Sequence, residues 1–301
     1  MNKMKFDEFR DVVVDGIKDW LPESFGKVDI SIKITEKNND LKLTGLLIKR
    51  VGSAIAPMIY LDGYYNQYKD GAEMDDIMQR IAKLRIEHDQ VDGIDVNVIS
   101  DFDKCRGKII PRLINTGWNK ELLANRPHVE LADLSVIFVV DLGVHRDGTM
   151  SVPITTNLMN NWNLRVEDLY DIAIKNQEKS DEGLLVSMSD MLMDMMGVDK
   201  DDTSTESDDM MFVLTNTSKV NGASMLLNKS MMGKVIDKVG DDFFIIPSSV
   251  HEVIIVSNQH AMSVSELEKI VNDVNTSQVD LPDRLGEHVY RYTAEYGLEV
   301  A

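Results

Sequence analysis

With 32 Lys and Arg against 51 Asp and Glu in 301 residues, the chain has a formal net charge of −19 at pH 7. That sign repels phosphate backbones and anionic membrane surfaces, which argues against nucleic-acid and membrane partners. The length exceeds what one core usually organises, the 43% apolar content is ordinary for a globular protein, and a lone cysteine, Cys105, excludes an intrachain disulfide and a cysteine-built zinc site.

The acidity is lopsided. Residues 1–90 hold 14 basic against 16 acidic side chains, net −2, whereas residues 91–301 hold 18 against 35, net −17. The opening MNKMKFDEFRD is charged too early for the apolar core of a signal peptide, and the longest apolar run, Val136–Val140, stops at Asp141, short of a membrane span. A reduced, cytoplasmic protein of two domains is expected.

In chain order, Phe6, Phe9, Val13, Ile17 and Trp20 recur at helical spacing, and Leu21-Pro22 closes that amphipathic helix. Val28–Thr35, Leu41–Lys49 and Ala54–Leu61 read as an antiparallel three-stranded meander, turned at Asn38-Asn39-Asp40 and Val51-Gly52-Ser53. Pro57 can donate no ladder hydrogen bond and puts the third strand at an edge. Helices over Gly63–Lys69 and Glu73–Glu87 follow, the second with Met74, Ile77, Ile81 and Leu84 on one face. This small α+β domain is expected to span residues 1–90.

The larger domain, 91–301, opens with a helix over Val96–Phe102 and a strand over Lys108–Ile114. Gly117-Trp118-Asn119 leads into a short helix, Lys120–Ala124. Leu134–Leu142 is the strongest central-strand pattern, and Gly143–Gly148 is expected to form a hairpin loop into a strand over Thr149–Ile154. Helices near Thr156–Trp162 and Val166–Asn176, a strand at Leu184–Met188 and a helix at Met188–Met196 come next. The run GVDKDDTSTESDD, Gly197–Asp209, reads as a solvated, mobile loop. A strand at Met210–Leu214, a tight turn at Asn221-Gly222 and a helix at Lys229–Val239 lead to the centre of the domain. There Phe243–Ile246 and Val253–Val256 form a strand pair around a Pro247-Ser248-Ser249 turn, and four consecutive apolar residues in the second indicate burial on both faces. A helix over Val264–Asn275 is the last element. Hairpins and helices without regular βαβ alternation place the chain in the α+β class, with mostly antiparallel sheets.

Four groups of residues set this chain beside a known family. They are Ile55–Leu61 with Tyr64-Tyr65; Thr156-Asn157 through Trp162 with Glu167-Asp168-Leu169, Ala173 and Asn176; Leu214-Thr215-Asn216 with Asn221-Gly222-Ala223; and Pro247–Val253. On them the chain resembles an uncharacterised bacterial family, a domain of unknown function found in gut Firmicutes. The resemblance implies a bacterial, soluble protein and carries over no activity, ligand or catalytic residue.

Residues able to do chemistry are sparse. Ser248, Ser249, His251 and Glu252 suggest a serine hydrolase, but on a strand His251 and Glu252 point to opposite faces. Ser249 and His251 share a face about 7 Å apart, beyond hydrogen-bond reach without a kink. The Gly-x-Ser-x-Gly elbow is absent, and Ile255 stands where a second zinc-binding His would be. His251 is therefore expected to bond a backbone group and tie the turn to the sheet. His145 and Asp147, in the hairpin loop, complete the set that a hydrolase could assemble from distant residues.

The run Met188–Met196 puts Met188, Met191, Leu192 and Met195 on one stripe, as core filler or as an adaptable partner-binding surface; without Cys or His it makes a poor metal site. Asp199, Asp201, Thr203, Thr205 and Ser207 alternate like calcium ligands, but Ser204 replaces the turn glycine and Met210 the closing Glu. Lys104 and Arg106 flank Cys105 and would activate its thiol if their charges were close. With no phosphate loop and no dinucleotide fingerprint, no cofactor and no metal are expected. The first functional expectation is a non-catalytic protein that binds another protein through the Met-bearing helix or the sheet edge near Pro57. The alternative is a hydrolase whose site assembles from distant residues around His251; an acidic decoy for nucleic-acid-binding proteins stands behind both.

Overall fold

The computed structural model describes residues 3–53, 56–89, 97–145, 148–180, 182–197, 210–258 and 262–301. The chain divides into two compact units, Met1–Lys37 with Leu41–Asn97, and Asn38–Asp40 with Val98–Ala301.

In the first unit, α1 (Phe6–Gly16) starts at a box in which Glu8 accepts the Lys5 N–H, and it buries Phe9 and Val13. The strands β1 (Val28–Glu36), β2 (Lys42–Arg50) and β3 (Met58–Tyr60) pair antiparallel in that order, so β3 is an edge with Pro57 just before it. Helices α2 (Leu61–Lys69) and α3 (Met74–Glu87) follow directly. Phe9, Val13 and Ile17 share a core with Leu46, Ile48, Ile59, Ile77 and Ile81. One member of the buried face of α3 is invisible to apolar periodicity: Arg85, 2% exposed, donates to Ile48 O at 2.7 Å and Asp89 Oδ1 at 2.9 Å. Its guanidinium also lies 4.7 Å from the Phe25 ring, so the buried charge has a carbonyl and a carboxylate at its edge and an aromatic at its face.

The chain then passes through α4 (Asn97–Ser100) and α5 (Phe102–Cys105) to β4 (Ile109–Asn115), α6 (Lys120–Leu123), β5 (His128–Leu131), β6 (Leu134–His145) and β7 (Gly148–Pro153). Here β6 is central: β4 runs along one side, and β5 and β7 share the other, all antiparallel. Ile109, Leu113, Val136, Phe138 and Val140 face the main core, while Arg112, Asp141 and Ser151 share the opposite face. The strand β6 does not end at Leu142. Its register with β7 shifts between Asp141 and Gly143, Gly143 takes φ +89°, and Asp141 Oδ1 accepts the Gly143 N–H at 3.0 Å. A bulge thus absorbs the glycine that the sequence pattern assigns to a loop, and pairing resumes through His145 and Gly148.

After α7 (Thr156–Asn161) and α8 (Val166–Ser180) come β8 (Gly183–Ser187), α9 (Met188–Met196) and β9 (Met211–Asn216). The rest is α10 (Lys229–Val239), β10 (Asp242–Ser249), β11 (Glu252–Ser257), α11 (Val264–Ser277), β12 (Tyr290–Thr293) and β13 (Gly297–Val300). Six strands form a second antiparallel sheet, ordered β13-β12-β10-β11-β9-β8. The central pair is buried on both faces. Phe243, Ile245, Val253 and Ile255 join Leu169, Ala173 and Val235 in the main core, while Phe244, Ile246 and Val256 pack with Leu267 and Val271 of α11.

Pro247-Ser248-Ser249 is not the turn of that pair. β10 continues through it with a register shift between Ile246 and Ser249, and Val250-His251 makes the turn. Proline, which lacks an N–H, is tolerated where the ladder is already interrupted. The architecture is mixed α+β, with antiparallel sheets, helices packed around them and no βαβ repeat. No described helix is long and apolar enough to cross a membrane.

Candidate functional site

His251 sits in the Val250-His251 turn and is held from three directions. Its backbone N–H donates to Ser249 Oγ at 3.1 Å, and its carbonyl accepts from Thr215 Oγ1 at 2.7 Å. Nδ1 accepts the Asn221 N–H at 3.1 Å, and Nε2 faces Asp283 Oδ1 at 3.4 Å. Both ring nitrogens are therefore engaged, and the Ser249 hydroxyl serves the His251 backbone rather than its ring. No nucleophile–base pair forms between these two. Glu252 opens β11 opposite Ser249 in register, His145 closes β6, and Asp147 lies outside the described residues.

A second histidine–aspartate pair carries no sequence signature. The turn between β5 and β6 is Ala132-Asp133, closed by the Leu131–Leu134 pair, and Ala132 adopts φ +54°. That left-handed conformation is uncommon for a residue with a Cβ and persists only where neighbours over-determine it. Asp133 supplies the neighbours. Its carbonyl accepts the Thr116 N–H at 2.9 Å, Oδ1 accepts the Tyr290 hydroxyl at 2.6 Å, and Oδ2 lies 3.0 Å from His288 Nδ1. Tyr290 is 1% exposed; burial first, and the bond to Asp133 second, hold its phenol in the protonated form that donates. Beside an ionised carboxylate the bonded imidazole nitrogen must carry the proton, so the neutral ring has its lone pair at Nε2. The His288 side chain is 44% exposed, and Nε2 has no partner among the described residues. A carboxylate-oriented imidazole with an open Nε2 has the chemistry needed to accept a proton there.

The remaining candidates separate. Cys105 is fully buried, and burial pushes its thiol pKa up, so Lys104 and Arg106 do not activate it. The helix at Met188–Met196 forms, with Met188, Met191 and Met193 half-buried and Met196 exposed. Apart from Gly197, the acidic run to Asp209 lies outside the described residues. Among the described residues no group of three His, Cys, Asp or Glu could hold a metal ion.

No curated protein and no solved structure matches the chain. One family model does, over residues 6–294, which is nearly the whole chain and includes Asp133, His251 and His288. The protein belongs to that family, the family of unknown function DUF5688.

Proposed function

We propose that the protein is a hydrolase that uses His288, held by Asp133, as the general base for an attacking water. The observation behind this reading is the 3.0 Å contact from Asp133 Oδ2 to His288 Nδ1, between residues 155 positions apart, with Nε2 left open among the described residues. A carboxylate on Nδ1 orients the ring and stabilises the imidazolium formed when Nε2 takes a proton. Tyr290 occupies the second carboxylate oxygen and the strained Ala132 turn fixes the backbone, so Asp133 is pre-organised rather than mobile. This keeps the idea of a hydrolase assembled from distant residues and moves its centre from His251 to His288.

Among the described residues no serine, threonine or cysteine bonds Nε2, which favours water over a side-chain nucleophile. In the step, Nε2 takes a proton from water as the water oxygen bonds the electrophilic centre; the proton then passes to the leaving group as its bond breaks. The lone cysteine and the resemblance to gut Firmicutes sequences support a reduced bacterial cytoplasm as the setting.

The test is a screen of chromogenic esters, phosphodiesters and glycosides with a fluorogenic peptide set. Turnover of one class is expected, falling by about 10²–10⁴-fold in His288→Gln and in Asp133→Asn and persisting in His251→Gln. Absence of turnover across the panel, or turnover indifferent to His288→Gln, would defeat the proposal.

A further inference from the structure

Most free sheet edges in this chain are blunted. β3 has three residues with Pro57 just before it, and β4 carries Pro111. β8 and β13, at the two ends of the six-stranded sheet, have five and four residues. Short strands and prolines keep an edge from pairing with another chain. β1 has neither device. It runs for nine residues, Val28–Glu36, without proline or glycine, and it pairs with β2 alone in one unbroken register.

The ends of that register fix the direction of the backbone groups. Lys27 O accepts the Val51 N–H at 3.1 Å, and the Lys37 N–H donates to Leu41 O at 2.8 Å. Hydrogen-bonded and non-hydrogen-bonded residues alternate along an antiparallel pair, so the odd-numbered residues of β1 turn their N–H and C=O groups toward β2. Val28, Ile30, Ile32 and Ile34 turn theirs to the open side, where none has a hydrogen-bond partner among the described residues. Their side chains line one face of the strand; three are half-buried, and Ile34 is 58% exposed.

An open edge accepts an extended chain, and the sequence of β1 selects a copy of itself. Antiparallel pairing about a two-fold axis through Ser31 sets Ile30 opposite Ile32 of the second copy, and Val28 opposite Ile34. These are the outward-facing residues, so four pairs exchange two bonds each, about eight backbone hydrogen bonds, within the range of ordinary protein interfaces. The same axis sets Asp29 opposite Lys33 of the second copy, twice, at non-hydrogen-bonded positions where side chains approach most closely. Asp29, Ser31 and Lys33 are all exposed. Other axes lose the match: through Lys33 the two lysines collide, through Ile30 Lys33 meets Lys27, and through Ile32 it meets Ser31. A lone lysine on an edge strand repels other strands, but here its counter-charge stands on the same strand. Residues 1–90 carry a net charge of only −2, so two copies meet here with little of the repulsion that the −17 of residues 91–301 would bring. We infer that the β1 edge is a homodimer interface, joining two three-stranded sheets into one of six strands, β3-β2-β1-β1-β2-β3.

The experiment measures the mass of the full-length protein by sedimentation equilibrium over a range of concentrations. The wild type should reach the mass of two chains. Lys33→Asp and Asp29→Lys should each raise the dimer dissociation constant about tenfold or more, because both ion pairs become repulsive. Both positions are exposed, and circular dichroism should show the wild-type fold in each variant. Mixing the two variants should restore a dimer, since each Lys then faces an Asp. Ser31→Cys tests the axis itself: the two Cα atoms would lie about 4.5 Å apart, close enough for a disulfide, and the native Cys105 is buried. Mild oxidation should give a covalent dimer with Ser31→Cys and not with the wild type. The inference is overturned if the wild type stays monomeric, if the single charge reversals dimerise as it does, if the mixture stays monomeric, or if Ser31→Cys fails to cross-link.

Discussion

Replacing His251 and His288 by alanine, one at a time, separates a histidine with both ring nitrogens engaged from one proposed to react through its open Nε2. His251→Ala removes the acceptor of the Asn221 N–H, in a residue already held at φ +54°, and deletes the contact from Nε2 to Asp283. An orphaned donor costs about 1–3 kcal/mol when buried. The His251 side chain is 36% exposed, so water can recover part of that loss. A figure of about 1–2 kcal/mol follows, and the half-exposed contact of the neutral ring with Asp283 adds less than about 1 kcal/mol. For a unit of this size each kcal/mol moves the midpoint by about 2–4 °C, so a fall of roughly 2–12 °C is expected. His288→Ala deletes only the half-exposed pair and leaves the contacts of Asp133 to Tyr290 and Thr116, a loss under about 1 kcal/mol. Thermal unfolding by circular dichroism, with calorimetry to separate the transitions of the two units, measures both. The reasoning fails if His251→Ala is neutral, or if His288→Ala is as damaging.

Two further outcomes follow from neighbouring residues. The folded-state pKa of Tyr290 is raised, so its stabilising contribution is intact below the unfolded value of about 10 and is lost as pH rises above it. Unfolding midpoints above pH ~10 should therefore fall more steeply in the wild type than in Tyr290→Phe, and parallel curves would contradict the buried bond to Asp133. At Gly222 an added Cβ would lie 2.5 Å from His251 O and 2.7 Å from Asn216 N, both backbone atoms in paired strands or their turn. Gly222→Ala should cost about 1–3 kcal/mol by urea unfolding, and a neutral result would show that the segment after β9 yields.

The parts of the fold written in local pattern were legible in the sequence. Phe243–Ile246 and Val253–Val256 read as a strand pair buried on both faces, and they occupy the middle of the six-stranded sheet. Local pattern misleads where the chemistry of a residue is ambiguous. Pro247 and Gly143 are turn residues in most contexts, but here each lies at or beside a bulge inside a continuing strand, because pairing on the far side resumes. The β5–β6 turn was unreadable for the opposite reason: Ala132 holds a positive φ at a position where glycine or asparagine would signal a hairpin. The C-terminal strands had a weak signal in the alternating Tyr290-Arg291-Tyr292-Thr293 and in Gly297, too short to stand apart from loop sequence. Arg85 is buried by partners it meets only in the fold, so no periodicity could have placed it in a core.

The candidate site was beyond sequence reading in a more basic way. Both histidine–aspartate pairs use common residues, and neither spacing is a motif: Asp133 and His288 meet across 155 positions. What distinguishes the pairs is the occupancy of the second ring nitrogen. In His251 a backbone amide takes Nδ1 while Asp283 faces Nε2, which uses the ring fully as a strut between the β10–β11 turn, the segment after β9 and Asp283. In His288 the carboxylate takes Nδ1 alone, and its own second oxygen is committed to a buried tyrosine. A pair meant only to stabilise gains little from such bracing, since an exposed ion pair contributes less than about 1 kcal/mol. Bracing matters where the geometry of a proton acceptor must be kept while its surroundings change, as they do when a substrate arrives. The strained alanine beside Asp133 fits the same account, because backbone strain concentrates where a side chain has to be presented in one orientation.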